Sequence, residues 1–173
     1  MQKFETPSAL IFPLNIYLAP SWANMFDVDG DSGVDKAKEV LNVVRQMFIL
    51  PSLDTKFVLE YKDSDFFVTI AELKAKRSDL ADLNNYISAP TGGPSSIVYL
   101  TAAPSEYRAI ANIIAICEPG QKKAKSITKW DGSVTQTAEV LAHEIGHTLG
   151  FYHDFEQYPQ VRTGRKHTCG PGK

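Results

Sequence analysis

Long apolar runs are missing from this sequence of 173 residues. The two longest, Ala9–Leu14 and Ile110–Ile116, are strand-sized and bounded by proline or polar residues, so no membrane span is read in the chain. An excess of one charge is missing too. Eighteen Lys and Arg against 20 Asp and Glu leave a net charge of -2, which excludes the basic footprint of a nucleic-acid partner and any attraction to an anionic lipid surface. Cysteine is scarce: Cys117 and Cys169 are the only two. They can close one disulfide or stand as two free thiols, and a bridge across so long a loop would contribute on the order of 4 kcal/mol. No Asn-x-Ser/Thr acceptor occurs, so glycosylation gives no sign of compartment. Methionine is absent after Met47. The opening Met1–Pro7 does not read as a secretory signal, because Glu5 and Pro7 interrupt it and Pro13 breaks the apolar stretch that follows. Either upstream segments are expected to be missing or the chain is a mature fragment with an added Met.

What is present is the composition of a globular domain. An apolar fraction of 43% and this length suffice for one domain with a substantial core, expected over 1–173. Ser8–Leu18 reads as a first strand ending at Pro20, and residues 21–34, with Asp27, Asp29, Gly30, Asp31 and Gly33, as a loop. From Asp35, the expected N-cap, Ala37, Val40, Leu41, Val44, Met47 and Phe48 fall on one helical face. Lys56–Tyr61 and Phe66–Ile70 read as strands joined by a polar turn at Lys62–Ser64, and Ser78–Ile87 as a short helix. Ile97–Leu100 and Ile110–Ile116 read as apolar strands, and Gln121–Ser133 as a polar, basic connection. Thr137–Leu149 again has helical period, with Ala138, Leu141, Ala142, Ile145 and Leu149 apolar. Strands and helices interleave, which predicts an α/β class with helices packed on a sheet.

The last helix carries His143-Glu144-Ile145-Gly146-His147. Residues four apart stand one turn apart on the same face, so both imidazoles can reach one metal ion. Two such histidines alone are a weak signal. Glu144 changes its weight, because a carboxylate beside the first histidine can hold and deprotonate an attacking water without being a ligand. Gly150 is placed to end the helix, after which the chain can turn and bring His153 back to the metal. Three protein ligands with an open fourth position are the arrangement of a catalytic zinc. The fourth histidine, His167, lies in the polar tail and reads as a solvated side chain.

The run His143-Glu-Ile-Gly-His147-Thr-Leu-Gly150-Phe-Tyr-His153-Asp154 resembles the extended zinc signature of the metzincins. The Asp directly after the third His resembles the adamalysin/reprolysin branch, which includes the ADAM-type (M12B-type) proteases. Ser96-Ile-Val-Tyr-Leu-Thr-Ala is similar to that family's central strand, and Ala109–Cys117 to its cleft-edge strand, which ends in a cysteine. The resemblance implies a zincin-type α+β fold with a twisted mixed sheet and HExxH on the active-site helix. It implies one catalytic zinc held by His143, His147 and His153, Glu144 as general base, and Asp154 as a polar support behind the ligand loop. The implied reaction is hydrolysis of internal peptide bonds in protein or peptide substrates. The edge strand at Ile110, Ala111, Asn112, Ile113, Ile114 and Ala115 would pair with an extended substrate. Secretion is implied by the same resemblance, and a Cys117–Cys169 bridge would agree with it.

One departure stands out. The family's methionine turn follows the third His, and here Met1, Met25 and Met47 all precede it. The chain is therefore expected to stop just short of that turn, with the C-terminal subdomain incomplete. A zinc-loaded but inactive binding module is the alternative reading, although such relatives usually lose the Glu or a ligand, and this chain keeps all four residues. Elsewhere, Asp27, Asp29 and Asp31 alternate like the start of a calcium loop. Ser32 occupies the position that wants Gly and Lys38 the one that wants Glu, so a solvated acidic loop is expected instead. Lys122, Lys123, Lys125 and Lys129 read as a solvated basic connection, and Trp22 and Trp130 as packing anchors.

Overall fold

The computed structural model describes residues 10–28, 32–48, 57–87, 96–112, 124–149, 151 and 153. Strand β1 (Leu10–Leu18) is followed by helices α1 (Pro20–Phe26) and α2 (Gly33–Met47), strands β2 (Phe57–Glu60) and β3 (Phe66–Val68), and helix α3 (Arg77–Tyr86). Then come β4 (Ser96–Thr101), β5 (Ala109–Ala111), β6 (Lys125–Lys129) and α4 (Val134–Thr148). The strands form one sheet in the order β2-β1-β4-β6-β5, with β3 also pairing to β1. Four pairings are parallel and β5–β6 is antiparallel. The mixed sheet with covering helices is the zincin-type α/β class that the motif implies.

Central position explains composition. Every residue of β4, Ser96 to Thr101, is buried, which is why it reads as a continuous apolar run rather than an alternation. α2 and α4 pack on each other, whereas α3 packs on β5 and β6. Right-handed crossovers running in opposite directions from the sheet centre put α2 on one face and α3 on the other. The sheet thus separates α4 from α3.

Two stretches are corrected, 21–35 and 121–133. Residues 21–34 are not all loop: Pro20 occupies the first turn of α1, where its missing N–H costs nothing. Two turns are too short to show a period, and α1 is held by Trp22, which is fully buried and whose indole Nε1–H donates to Gly33 O at 2.8 Å. Gly33 sits so close that a Cβ there would meet Ala23 Cα at 3.2 Å. Ser32, not Asp35, caps α2, accepting from Asp35 N at 3.1 Å. The second correction is larger. The connection 121–133 contains β6, an interior strand between β4 and β5. Lys125, expected in solvent, is 5% exposed and its Nζ donates to Ala81 O of α3 at 3.2 Å. Burial holds its pKa below the usual lysine value. Lys122 and Lys123 lie outside the described residues.

Phe57–Glu60 and Phe66–Val68 do form strands, but both run parallel to β1, along Leu10–Pro13 and Ile16–Leu18. They are two pieces of one edge, interrupted by a single 3-10 turn at Asp63–Asp65. The tryptophans anchor as expected: Trp22, Phe26 and Trp130 meet edge-on at centroid distances of 4.8–5.8 Å. No helix among the described residues is long and apolar enough to cross a membrane.

Candidate metal centre

The helix that bears the histidines is fixed at both ends by backbone chemistry. Gly132 adopts φ +88° and turns the chain into the N-cap Ser133, a conformation that side chains with a Cβ rarely take. Ser133 Oγ accepts from Gln136 N at 3.2 Å, and Asp131 N donates to Thr137 Oγ1 at 3.0 Å. At the other end Leu149 N donates to Ile145 O, and Phe151 N to Gly146 O at 3.0 Å. With Leu149 as C-cap, that last bond is the six-to-one closure of a Schellman ending. It is the stop expected from Gly150, which itself lies outside the described residues, as does Asp154.

This ending brings the third histidine home. His143 Nε2 and His153 Nε2 are 2.9 Å apart, and His147 Nε2 and His153 Nε2 3.1 Å. The nitrogens of all three lie within 4.8 Å of one another. The rings of His143 and His153 are stacked at 19°, with His147 at 83° and 79° to them. A tetrahedral zinc with Zn–N bonds of about 2.0–2.1 Å holds its ligand nitrogens about 3.3 Å apart. The two nitrogen pairs that involve His153 stand a few tenths of an ångström inside that spacing. His147 Nδ1 lies 2.7 Å from Phe151 O. A carbonyl only accepts, so Nδ1 carries the proton and Nε2 turns its lone pair to the centre of the cluster. His143, though exposed, has its pKa lowered, first by desolvation and then by the two neighbouring imidazoles.

Glu144 is only 7% exposed, and burial raises its pKa to about 7, against a smaller opposing effect of His153. It lines, with His143, a cleft of about 440 Å³ whose other walls are Tyr107, Arg108, Ala109, Glu139 and Val140. Ala109 opens the run that resembles the cleft-edge strand; the other four were not read from the sequence as site residues. Glu139 and Val140 stand four and three residues before His143, hence on its face of the helix, a signal that was available. Tyr107 and Arg108 enter only through the fold: Arg108 pairs with Asp131 and so ties the approach to β5 to the approach to α4.

Among the described strands β5 is last in the sheet order. Arg108 O accepts from Lys129 N and Asn112 N donates to Lys125 O. In an antiparallel ladder the residues between, Ala109 and Ala111, then turn their N–H and C=O outward. Of the expected edge residues, Ile110, Ala111 and Asn112 are described; Ile113, Ile114, Ala115, Cys117 and Cys169 lie outside the described residues. Of the calcium candidates, Asp27 Oδ1 accepts from Gly33 N and Lys38 pairs with Asp63, while Asp29 and Asp31 are outside.

A chain of a solved structure described as a chaperone–substrate complex shares the fold, with a TM-score of 0.61 at 14% identity over 85% of this chain. The present chain spans 27% of that longer one. No curated protein matches the sequence. The reprolysin-type model of metallo-peptidase family M12 matches residues 52–173, a stretch that holds β2 to β6, the edge strand and the whole histidine cluster. On that match and this geometry, the chain belongs to metallo-peptidase family M12.

Proposed function

We propose that this chain is a zinc metalloendopeptidase that hydrolyses internal peptide bonds of proteins, with its described elements forming one catalytic domain. The observation that carries the reading is the convergence of three imidazole nitrogens beside a buried carboxyl group. His143, His147 and His153 would hold the zinc, which when bound supplies a Lewis acid for the scissile carbonyl and for water. Glu144 is the general base. A carboxyl group near pKa 7 is matched to taking a proton from the attacking water and returning it to the leaving amine at neutral pH. Ala109 and Ala111 offer outward main-chain groups to an extended substrate, which favours strand addition and cleavage of backbone over recognition of a folded surface. By family resemblance the enzyme acts outside the cell.

Glu144→Ala tests the assignment. The variant should keep one zinc per chain by elemental analysis while cleavage of a random peptide pool falls by roughly 10²–10⁴-fold. Undiminished cleavage would remove Glu144 from the mechanism. A zinc-loaded wild-type chain that cleaves nothing in the pool would instead favour a binding module.

A further inference from the structure

β5 is flanked by two clefts, one on each face of the sheet. The first, with His143 and Glu144, lies on the α4 side. The second, of about 320 Å³, lies on the α3 side and is lined by Arg77, Leu80, Ala81, Ile110, Ala111 and Asn112. Side chains alternate along a strand, so Ile110 and Asn112 share one face of β5 and Ala109 and Ala111 the other. The first cleft takes Tyr107, Arg108 and Ala109 from this stretch and the second takes Ile110, Ala111 and Asn112. Asn112, which donates its N–H to Lys125 O, puts the Ile110 and Asn112 face on the side of the second. Lys125, which reaches Ala81 of α3, stands on that second face of the neighbouring strand.

A strand added to β5 inherits the same alternation. A residue opposite Ala109 or Ala111 turns its side chain to the α4 face of the sheet, and a residue opposite Ile110 or Asn112 turns its side chain to the α3 face, where the second cleft lies. The walls there are Leu80, Ala81 and Ile110, and the one charged side chain among the lining residues is Arg77. Arg77 is exposed in the first turn of α3 and forms no ion pair among the described residues, where its neighbour Lys76 pairs with Asp79 instead. An apolar wall ending in an unpaired guanidinium suits a side chain with an aliphatic stem and a carboxylate end.

Resting on the endopeptidase reading, we infer that the α3-side cleft is a second substrate subsite, in which Arg77 selects an acidic side chain at alternate positions of the bound peptide. It adds a determinant of substrate choice on the face of the sheet opposite the metal centre. The occupant is the substrate strand itself, since the outward N–H and C=O groups of Ala109 and Ala111 register it against Ile110 and Asn112.

The test is a pool of unstructured peptides, each varied between Glu, Gln and Lys at single positions, offered to the zinc-loaded full chain and to its Arg77→Glu variant. Cleavage is read by mass spectrometry as the Glu-to-Lys ratio at each position. Binding of the same pool to zinc-loaded Glu144→Ala, with and without Arg77→Glu, is read by fluorescence anisotropy. The wild type should prefer Glu over Lys about three- to fivefold, the scale of a solvent-accessible ion pair, at positions two residues apart. Arg77→Glu should invert the ratio at those positions and leave the ratios between them as they were. Cleavage with the same ratios in both proteins would overturn the inference and keep the endopeptidase. Arg77-dependent binding without cleavage would keep the subsite and overturn the endopeptidase. Neither binding nor cleavage would overturn both.

Discussion

Helices α2 and α4 invite comparison, since each is 15 residues long, each starts on a serine whose hydroxyl accepts a main-chain N–H, and the two pack on one another. They differ in what they bury. The buried residues of α2 are Gly33, Ala37, Val40, Leu41 and Val44. Those of α4 include Thr137, Glu144, His147 and Thr148 beside Ala138, Leu141 and Ile145. Apolar burial is favourable by about 25 cal/mol per Å², while burial of a titratable group is unfavourable unless something compensates it. One helix therefore contributes to the frame, and its neighbour uses that frame to hold groups that folding alone would expel.

Breaking the frame helix should hurt stability more than any change at the site. Leu41→Ala in α2 removes a fully buried side chain and should cost about 2–5 kcal/mol, measured by urea unfolding of the zinc-free chain. If the same variant, held below its melting temperature, failed to bind zinc, the division between frame and site would be wrong. The comparison is sharpened by relieving the polar burden of α4. The folded-state pKa of Glu144 lies near 7, above its ordinary 4.5, so the native state holds the proton more tightly than the unfolded one. Stability of the zinc-free chain should then fall as pH rises from about 4.5 to 7. Glu144→Gln cannot ionise and should gain over wild type across that window, reaching about 1–3 kcal/mol at pH 8. Parallel melting curves at pH 5 and pH 8 in chelator check this, and a constant difference between the two proteins would refute it. The smallest effect should come from the feature the helices share. Ser32→Ala and Ser133→Ala should each cost about 1 kcal/mol. The second should also weaken zinc affinity in a competition titration, because its helix carries two of the three histidines.

Legibility in the sequence followed the same division. The histidine cluster was readable because its spacing and its helix stop are local. The ending that Gly150 predicts is present as the Phe151 N–H bond to Gly146 O, and His153 arrives as expected. The apolar strands β1 and β4 and the amphipathic α2 were readable from their patterns. β6 was not: Lys-Ser-Ile-Thr-Lys has one large apolar residue, and only its place between β4 and β5 buries it. Ser126 Oγ and Thr128 Oγ1 are buried without a hydrogen-bond partner among the described residues, so its local chemistry argues against the position it takes. The clefts beside β5 escaped for a related reason. Arg77, Arg108 and Glu139 are ordinary surface charges until pairing across the sheet brings them around one strand.

The contact between His147 Nδ1 and Phe151 O has a consequence for how this site can vary. What orients the second histidine is a peptide carbonyl, and the N–H of the same residue closes the helix. The ring of Phe151 is 66% exposed and takes no part in either bond. Residue 151 makes both bonds with its main chain, so its side chain is freer to drift than its geometry. Nineteen amino acids carry the N–H that the helix ending needs, and proline is the one that cannot.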